Sequence, residues 1–147
     1  TLFRSVAGNK LLHFELSQAS ESVAKYLQIA PGTELVVFRR LLTVTDTPFC
    51  IETSHIATSR VPGLAAEDLM AGQSLYTLLD TRYGIKTGPG MRSIAVHTPT
   101  AFETEALRLP PHASTLLLRM VTVDADNVPV EYVRSVNHPQ HVIFQTG

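Results

Sequence analysis

Two stretches of this chain carry charge inside apolar runs. In residues 35–56 (LVVFRRLLTVTDTPFCIETSHI), Arg39 and Arg40 precede a polar Thr45-Asp46-Thr47 turn and Glu52 follows it. In residues 115–136, Arg119 and Glu131 flank Asp124-Ala125-Asp126-Asn127 in the same manner. A guanidinium fork grips carboxylate or phosphate through paired hydrogen bonds, and a carboxylate accepts from the hydroxyl or amine of a small ligand. The same residue types also serve as cross-strand ion pairs or face water from a sheet. A pocket and a set of structural ion pairs are therefore both open.

Other candidates are weaker. Ser74 stands at the start of a helical pattern, where its hydroxyl and the adjacent amides suit an anion, although a plain N-cap has the same sequence form. Arg92 is a further anion contact or a solvent-facing strand residue. His138 and His141 are closely spaced, but no acidic or cysteine partner surrounds them, so no metal ligand set is assigned. Cys50 is the single cysteine, which rules out an internal disulfide and fits a small buried apolar residue. No Gly-rich phosphate loop, nucleophile elbow or HExxH motif is present. No catalytic residue and no cofactor are assigned.

The elements that hold these residues follow from periodicity. Along a strand Val36, Phe38, Arg40 and Leu42 share one face, and Cys50, Glu52 and Ser54 share another. A three-residue loop at 45–47 pairs Leu42 with Cys50 and Arg40 with Glu52. A two-residue loop slips the register by one and puts Arg39 opposite Glu52. Residues 1–10 have little period and suit a linker or an opening strand. Residues 11–16 form a strand, and Ser17 or Ser20 caps a helix through Leu27 that Pro31-Gly32 ends. A short helix ends at Gly72, and a second starts at Ser74 and stops at Gly84. Residues 87–90 make a turn and 91–96 a strand. Thr100 caps a helix closed by Pro110-Pro111, and residues 115–123 and 128–136 form a second hairpin.

An offset of 80 residues relates Ser20 to Thr100, Leu27 to Leu107, Pro31 to Pro111, Arg39 to Arg119 and Asp46 to Asp126. Each half is a capped helix, a proline break, and a hairpin with Arg on one strand and Glu on the other. Glu131 takes the part of Glu52 after a one-residue slip. Two such units pool their strands into one antiparallel sheet with helices mostly on one face, an α+β fold. The 147 residues suit one domain, and 44% hydrophobic with 17% charged residues marks it as globular. The net charge of −1 gives no basic excess for binding nucleic acid. No apolar run approaches the ~20 residues of a membrane span, so no membrane partner is expected.

The motif L-x-I-x-P-G-T-x-L-V-V-F-R-R (residues 27–40) is followed by the Asp46 turn, Pro48 and Glu52. Pro62-Gly63-Leu64, Ser74-Leu75-Tyr76 through Tyr83-Gly84, Glu105-Ala106-Leu107 and the D-x-x-P-V-E-Y hairpin (residues 126–132) come next. In order and spacing this resembles the UTRA effector-binding domain of GntR-type transcriptional regulators, HutC subfamily, over nearly the whole chain. The resemblance implies a chorismate-lyase-like antiparallel sheet with flanking helices. Residues 1–10 become a linker from a missing N-terminal domain and 11–147 the ligand-binding domain. It implies a cytoplasmic homodimer that is no enzyme. Such a domain senses a small metabolite (carboxylate, sugar or sugar phosphate) and meets DNA only through an absent N-terminal winged helix. The alternative on the same fold is a chorismate-lyase-like enzyme.

Residue by residue, the resemblance assigns ligand binding to Arg40, Glu52, Ser74 and Glu131. Two positions depart from the sugar-phosphate-responsive members: Leu42 stands where they have a second arginine, and Asn137 where they have a late tyrosine. Losing a guanidinium removes a charge-assisted contact worth ~1.5–3 kcal/mol, which favours a carboxylate or a less charged metabolite.

Overall fold

The computed structural model describes residues 7–70 and 74–141. Its strands are β1 (Ala7–Gln18), β2 (Glu34–Val44), β3 (Thr47–Ala57), β4 (Gly88–His97), β5 (Thr115–Val123) and β6 (Pro129–Asn137). Its α-helices are α1 (Glu21–Leu27), α2 (Ala66–Met70), α3 (Leu75–Tyr83) and α4 (Ala101–Ala106). The strands form one antiparallel sheet in the order β1-β2-β3-β6-β5-β4. That order is a palindrome of the repeat. β1 and β4 are the edges, β2 and β5 lie inside them, and β3 meets β6 at the centre.

The equivalent helices start in equivalent ways. Ser20 accepts a hydrogen bond from the Val23 amide at 3.2 Å, while Thr100 and Glu103 cap α4 reciprocally. Between the halves lie α2 and α3, which have no counterpart among the described residues after β6.

Helices cover both faces of the sheet, not mostly one. β2 is apolar on both sides, so Val36 and Phe38 pack against Leu69, Leu75, Leu78 and Leu79 of α2 and α3. Leu35 and Val37 on the reverse pack with Ala24 and Leu27 of α1. Leu107, at the end of α4, joins that reverse face with Ile51, Leu117 and Val136. A strand with two greasy sides needs cover on both. On the α2–α3 face the cover stops short of β4, where Ile94 and Val96 remain 47% and 76% exposed.

The first hairpin combines the two alternatives its loop allowed. Thr45 and Asp46 both take positive φ (48° and 63°), as a two-residue type I′ turn requires. Phe49 then bulges out of register: Thr43 pairs with Pro48, yet Leu42 pairs with Cys50 and Arg40 with Glu52. The bulge restores the pairing of a three-residue loop.

Smaller differences concern element ends. β1 begins at Ala7, and Ala7 to Lys10 pair with β2 rather than linking domains; residues 1–6 lie outside the described residues, as does Gly72. β4 starts at Gly88, inside the turn expected at 87–90 and ahead of the strand expected at 91–96, because Gly88 and Pro89 pair with Val123 and Thr122. Gly90 falls in the bulge that follows, where a Cβ would lie 2.7 Å from the Val121 carbonyl oxygen.

Candidate ligand-binding site

The register sorts the charged residues by face. One cross-strand row runs Leu11, Arg40, Glu52, Ser135, Leu118 and Ile94, with the next rows placing Ser54 and then Glu131 and Thr122 on the same side. This is the side that α2 and α3 cover. Arg39 and Arg119 sit one residue away from those rows and so on the opposite face. The five-residue constellation therefore splits. Arg40, Glu52 and Glu131 share a face; Arg39 and Arg119 do not join them.

Arg40 is 7% exposed, and its Nη2 meets Glu52 Oε2 at 3.0 Å. Glu131 is fully buried. Its Oε1 accepts from the Tyr76 hydroxyl at 3.0 Å and from the Thr122 hydroxyl at 3.1 Å. Three buried polar atoms of this face have no hydrogen-bond partner among the described residues: Arg40 Nε, Ser54 Oγ and Glu131 Oε2. Each carries a desolvation cost unless a further group arrives to meet it. The polar strip continues along the sheet, where Cys50 Sγ and Ser135 Oγ are 3.0 Å apart and Asn137 Nδ2 donates to Ser135 Oγ at 2.9 Å.

Beside this strip opens a cleft of about 340 Å³ between the start of α3 and the β4–β5 edge, lined by Tyr76, Arg92, Met120 and Thr122 with the 87–90 segment. Tyr76 is the link between cleft and core, since the residue is 39% exposed while its hydroxyl reaches Glu131.

Burial governs the electrostatics. It pushes the Glu131 carboxyl above the ordinary range, against the hydroxyls around it and the charge of Arg40. The Ser54 hydroxyl lies near enough to favour the ionised form, though without the geometry of a formed bond. Glu52 also moves up, because burial outweighs the Arg40 guanidinium beside it. The Cys50 thiol rises to about 12 by burial and the Tyr76 phenol rises for the same reason. No thiolate or phenolate is available here at neutral pH. The face suits recognition, offering carboxyl oxygens, a hydroxyl and a guanidinium edge to a small polar molecule.

Ser74 stands apart from this cluster. It holds the N-cap position of α3 and is exposed, but its hydroxyl makes no capping bond. It is near the site through Tyr76, two residues on, and through the amides of the helix start. Tyr76, Thr122 and Ser54 are the residues that sequence reasoning did not assign. Tyr76 belongs to the Ser74-Leu75-Tyr76 motif and Ser54 shares the alternation of Glu52, so both had a signal. Thr122 is placed only by its register opposite Glu131. His138 and His141 stack with ring centroids 3.8 Å apart, and no group of three metal-ligating side chains occurs among the described residues.

A two-repeat antiparallel sheet with buried, unpartnered polar groups beside a cleft defines a small-molecule-binding domain. Residues 4–142 match the UTRA domain family, and the chain belongs to it: it is an effector-binding domain of the kind found in GntR-family transcriptional regulators. It is 28% identical over 138 residues to the HTH-type transcriptional repressor PhnF of Mycolicibacterium smegmatis, covering 94% of this chain and 56% of that protein. It thus spans about half the length of that relative. Among solved structures, it resembles a ligand-binding domain from Bordetella bronchiseptica with a TM-score of 0.91 at 20% identity, covering 97% of this chain and 88% of that one. It resembles the effector domain of PhnF from Mycobacterium smegmatis with a TM-score of 0.82 at 26% identity, covering 96% and 86%.

Proposed function

We propose that this chain is the sensing half of a cytoplasmic, homodimeric transcriptional regulator whose DNA-reading part is a winged helix N-terminal to it. Arg40, Glu52, Ser74 and Glu131 contact the effector, with Tyr76 and Ser54 added to the set. The observation that carries this reading is the cluster of Arg40 Nε, Ser54 Oγ and Glu131 Oε2, buried on one sheet face without partners among the described residues. Effector binding satisfies them and biases the spacing of the two DNA-reading heads, which is a population shift coupling two sites. No enzyme activity is assigned.

The effector is a small carboxylate or sugar rather than a sugar phosphate. Leu42 shares the Arg40 face and supplies no second guanidinium. Asn137 does not stand in for the missing hydroxyl, because its amide donates to Ser135 and to the Leu116 carbonyl.

A metabolite screen by thermal shift tests the reading. At a hundredfold excess over Kd a ligand adds about 2.7 kcal/mol, several degrees in Tm for a domain of this size. Arg40→Ala and Glu131→Ala are expected to remove the response while remaining folded. Variants that fold poorly yet keep ligand affinity would return these residues to a structural ion-pair role.

One observation favours the enzyme alternative, namely the raised carboxyl of Glu131, which suits a proton donor. Incubation with chorismate decides it. Appearance of 4-hydroxybenzoate supports the lyase, and its absence leaves the sensor.

A further inference from the structure

The reverse face carries a second charged row. Directly opposed residues there run His13, Arg39, Thr53, Arg134, Arg119 and Ser93 across all six strands. Three of the six are arginines, on β2, β6 and β5. Arg119 and Arg134 face each other directly across the strand pair, and Arg39 lies two strands beyond Arg134, past Thr53 of β3. Like charges placed opposite one another in a sheet destabilise it, and among the described residues the acids near this row are Glu15, 3.4 Å from His13, and Glu103. Arg39 and Arg119 are in no ion pair among the described residues, and Arg134 Nη1 is 3.9 Å from Glu103 Oε2, at the outer limit of one.

Glu103 is largely committed elsewhere. Its Oε1 accepts from the Thr100 amide at 2.9 Å and lies 3.0 Å from His97 Nε2. The niche between α4 and the sheet therefore holds two guanidiniums against one shared carboxylate. It has a volume of about 230 Å³, with Arg39, Thr53, Thr100, Phe102, Glu103 and Arg134 in its lining. Arg39, itself exposed, lies over the Phe102 ring at 5.6 Å, and Arg134 is drawn towards Glu103. Thr53 stands between the two arginines in the row and offers a hydroxyl. Two guanidiniums with a hydroxyl-bearing residue on the strand between them, lining one niche, suit an oxyanion.

We propose that the niche under α4 binds a small oxyanion, a phosphate or carboxylate group, between Arg39 and Arg134. The site lies on the opposite face from Arg40, Glu52 and Glu131 and is independent of the effector reading. An anion there offsets the repulsion along the arginine row and braces α4 against the central strands. It gives the domain a second input, separate from the first.

The test titrates the protein with inorganic phosphate in place of chloride at constant ionic strength, following Tm and backbone amide shifts by NMR. Saturable stabilisation is expected, with shifts at Thr53, Phe102 and Glu103. The double substitution Arg39→Gln and Arg134→Gln should weaken phosphate binding at least about tenfold, the worth of one charge-assisted contact. Removing like charges also keeps the variant folded without phosphate, which circular dichroism checks. Arg134→Lys, which keeps the charge and loses the fork, should give an intermediate loss. Arg40→Gln should leave phosphate binding within about twofold, the mark of a separate site. The proposal is overturned if wild type shows no saturable response, if the arginine variants bind as well as wild type, or if Arg40→Gln abolishes binding. That last result would put the anion on the effector face.

Discussion

In the first hairpin Arg40 stands opposite Glu52, whereas at the equivalent place in the second hairpin Met120 stands opposite Val133. One rung further, Leu42 opposite Cys50 in the first half corresponds to Thr122 opposite Glu131 in the second. Glu131 thus takes the repeat position of Cys50, not that of Glu52 as a one-residue slip had placed it. Both hairpins carry a bulge at the matching place, Phe49 in the first and Val130 in the second, so the difference lies in which rung of the returning strand bears the acid. The repeat supplies a frame in which either half can carry charge. Each half places its carboxylate on the same face but on a different rung. The two acids come together only because β3 and β6 adjoin at the centre of the sheet. Cover is unequal as well: α2 and α3 shield the Arg40 side, and the β4 edge of that face stays bare.

The largest expected effect breaks the first half's pair. Arg40→Leu leaves the Glu52 carboxylate half-buried without its guanidinium, and should cost about 3 kcal/mol in urea denaturation. Met120→Leu, at the equivalent position, should cost less than about 1.5 kcal/mol. Copying the second half into the first, by Arg40→Met with Glu52→Val, should recover most of the loss, since apolar replacements of buried ion pairs are often neutral. If Arg40→Leu costs no more than Met120→Leu, the two halves do not differ energetically.

A smaller effect isolates the second half's acid. The Glu131 carboxyl sits above its ordinary range when folded, so the native state binds more protons than the unfolded chain once the pH exceeds the unfolded value. Stability from this group is complete below the unfolded pKa and is lost as pH rises through the raised native one. Glu131→Gln removes the titration. The variant should melt a few degrees above wild type at pH 7, about what 1 kcal/mol is worth in a domain of ~150 residues. The two melting curves should converge towards pH 4. Parallel curves across that range would mean that burial is not what governs Glu131.

Much of this frame is legible in the residues, because local signals carry it. Six β-branched or leucine-rich runs, the caps at Ser20 and Thr100 and the 80-residue offset mark both units and their order. Features decided by distant pairing are not legible. Whether Arg39 or Arg40 joined the pocket side depended on a bulge at Phe49, a residue with no turn or glycine signal of its own. The Leu35-Val36-Val37-Phe38 run did carry a sign of cover on both faces, since a strand with one wet side alternates. Arg40, Glu52 and Glu131 stand on one face, while Ser74 holds the N-cap position of α3. Tyr76 had a motif to flag it, but its bond to Glu131 depends on where α3 packs against the sheet, which has no local code.

The caps compare the halves at their finest scale. Ser20 and Thr100 occupy equivalent positions, each preceding a helix of two turns or fewer. Ser20 makes one exposed bond to the Val23 amide. Thr100 is part of a closed set, in which its hydroxyl accepts from the Glu103 amide at 3.1 Å while the Glu103 carboxylate takes the Thr100 amide and meets His97. Thr100→Ala should cost about 1 kcal/mol and Ser20→Ala about 0.5 kcal/mol, both within the range for lost caps. Additivity separates them further. With Glu103→Ala as the second change, the Thr100 cycle should show a coupling of at least about 0.5 kcal/mol, because the residues share one network. The cycle of Ser20→Ala with Glu21→Ala should show none, since no bond joins those side chains. Equal couplings would mean that the second half's box adds nothing to a plain cap, and that α4 is held to the sheet by Leu107 alone.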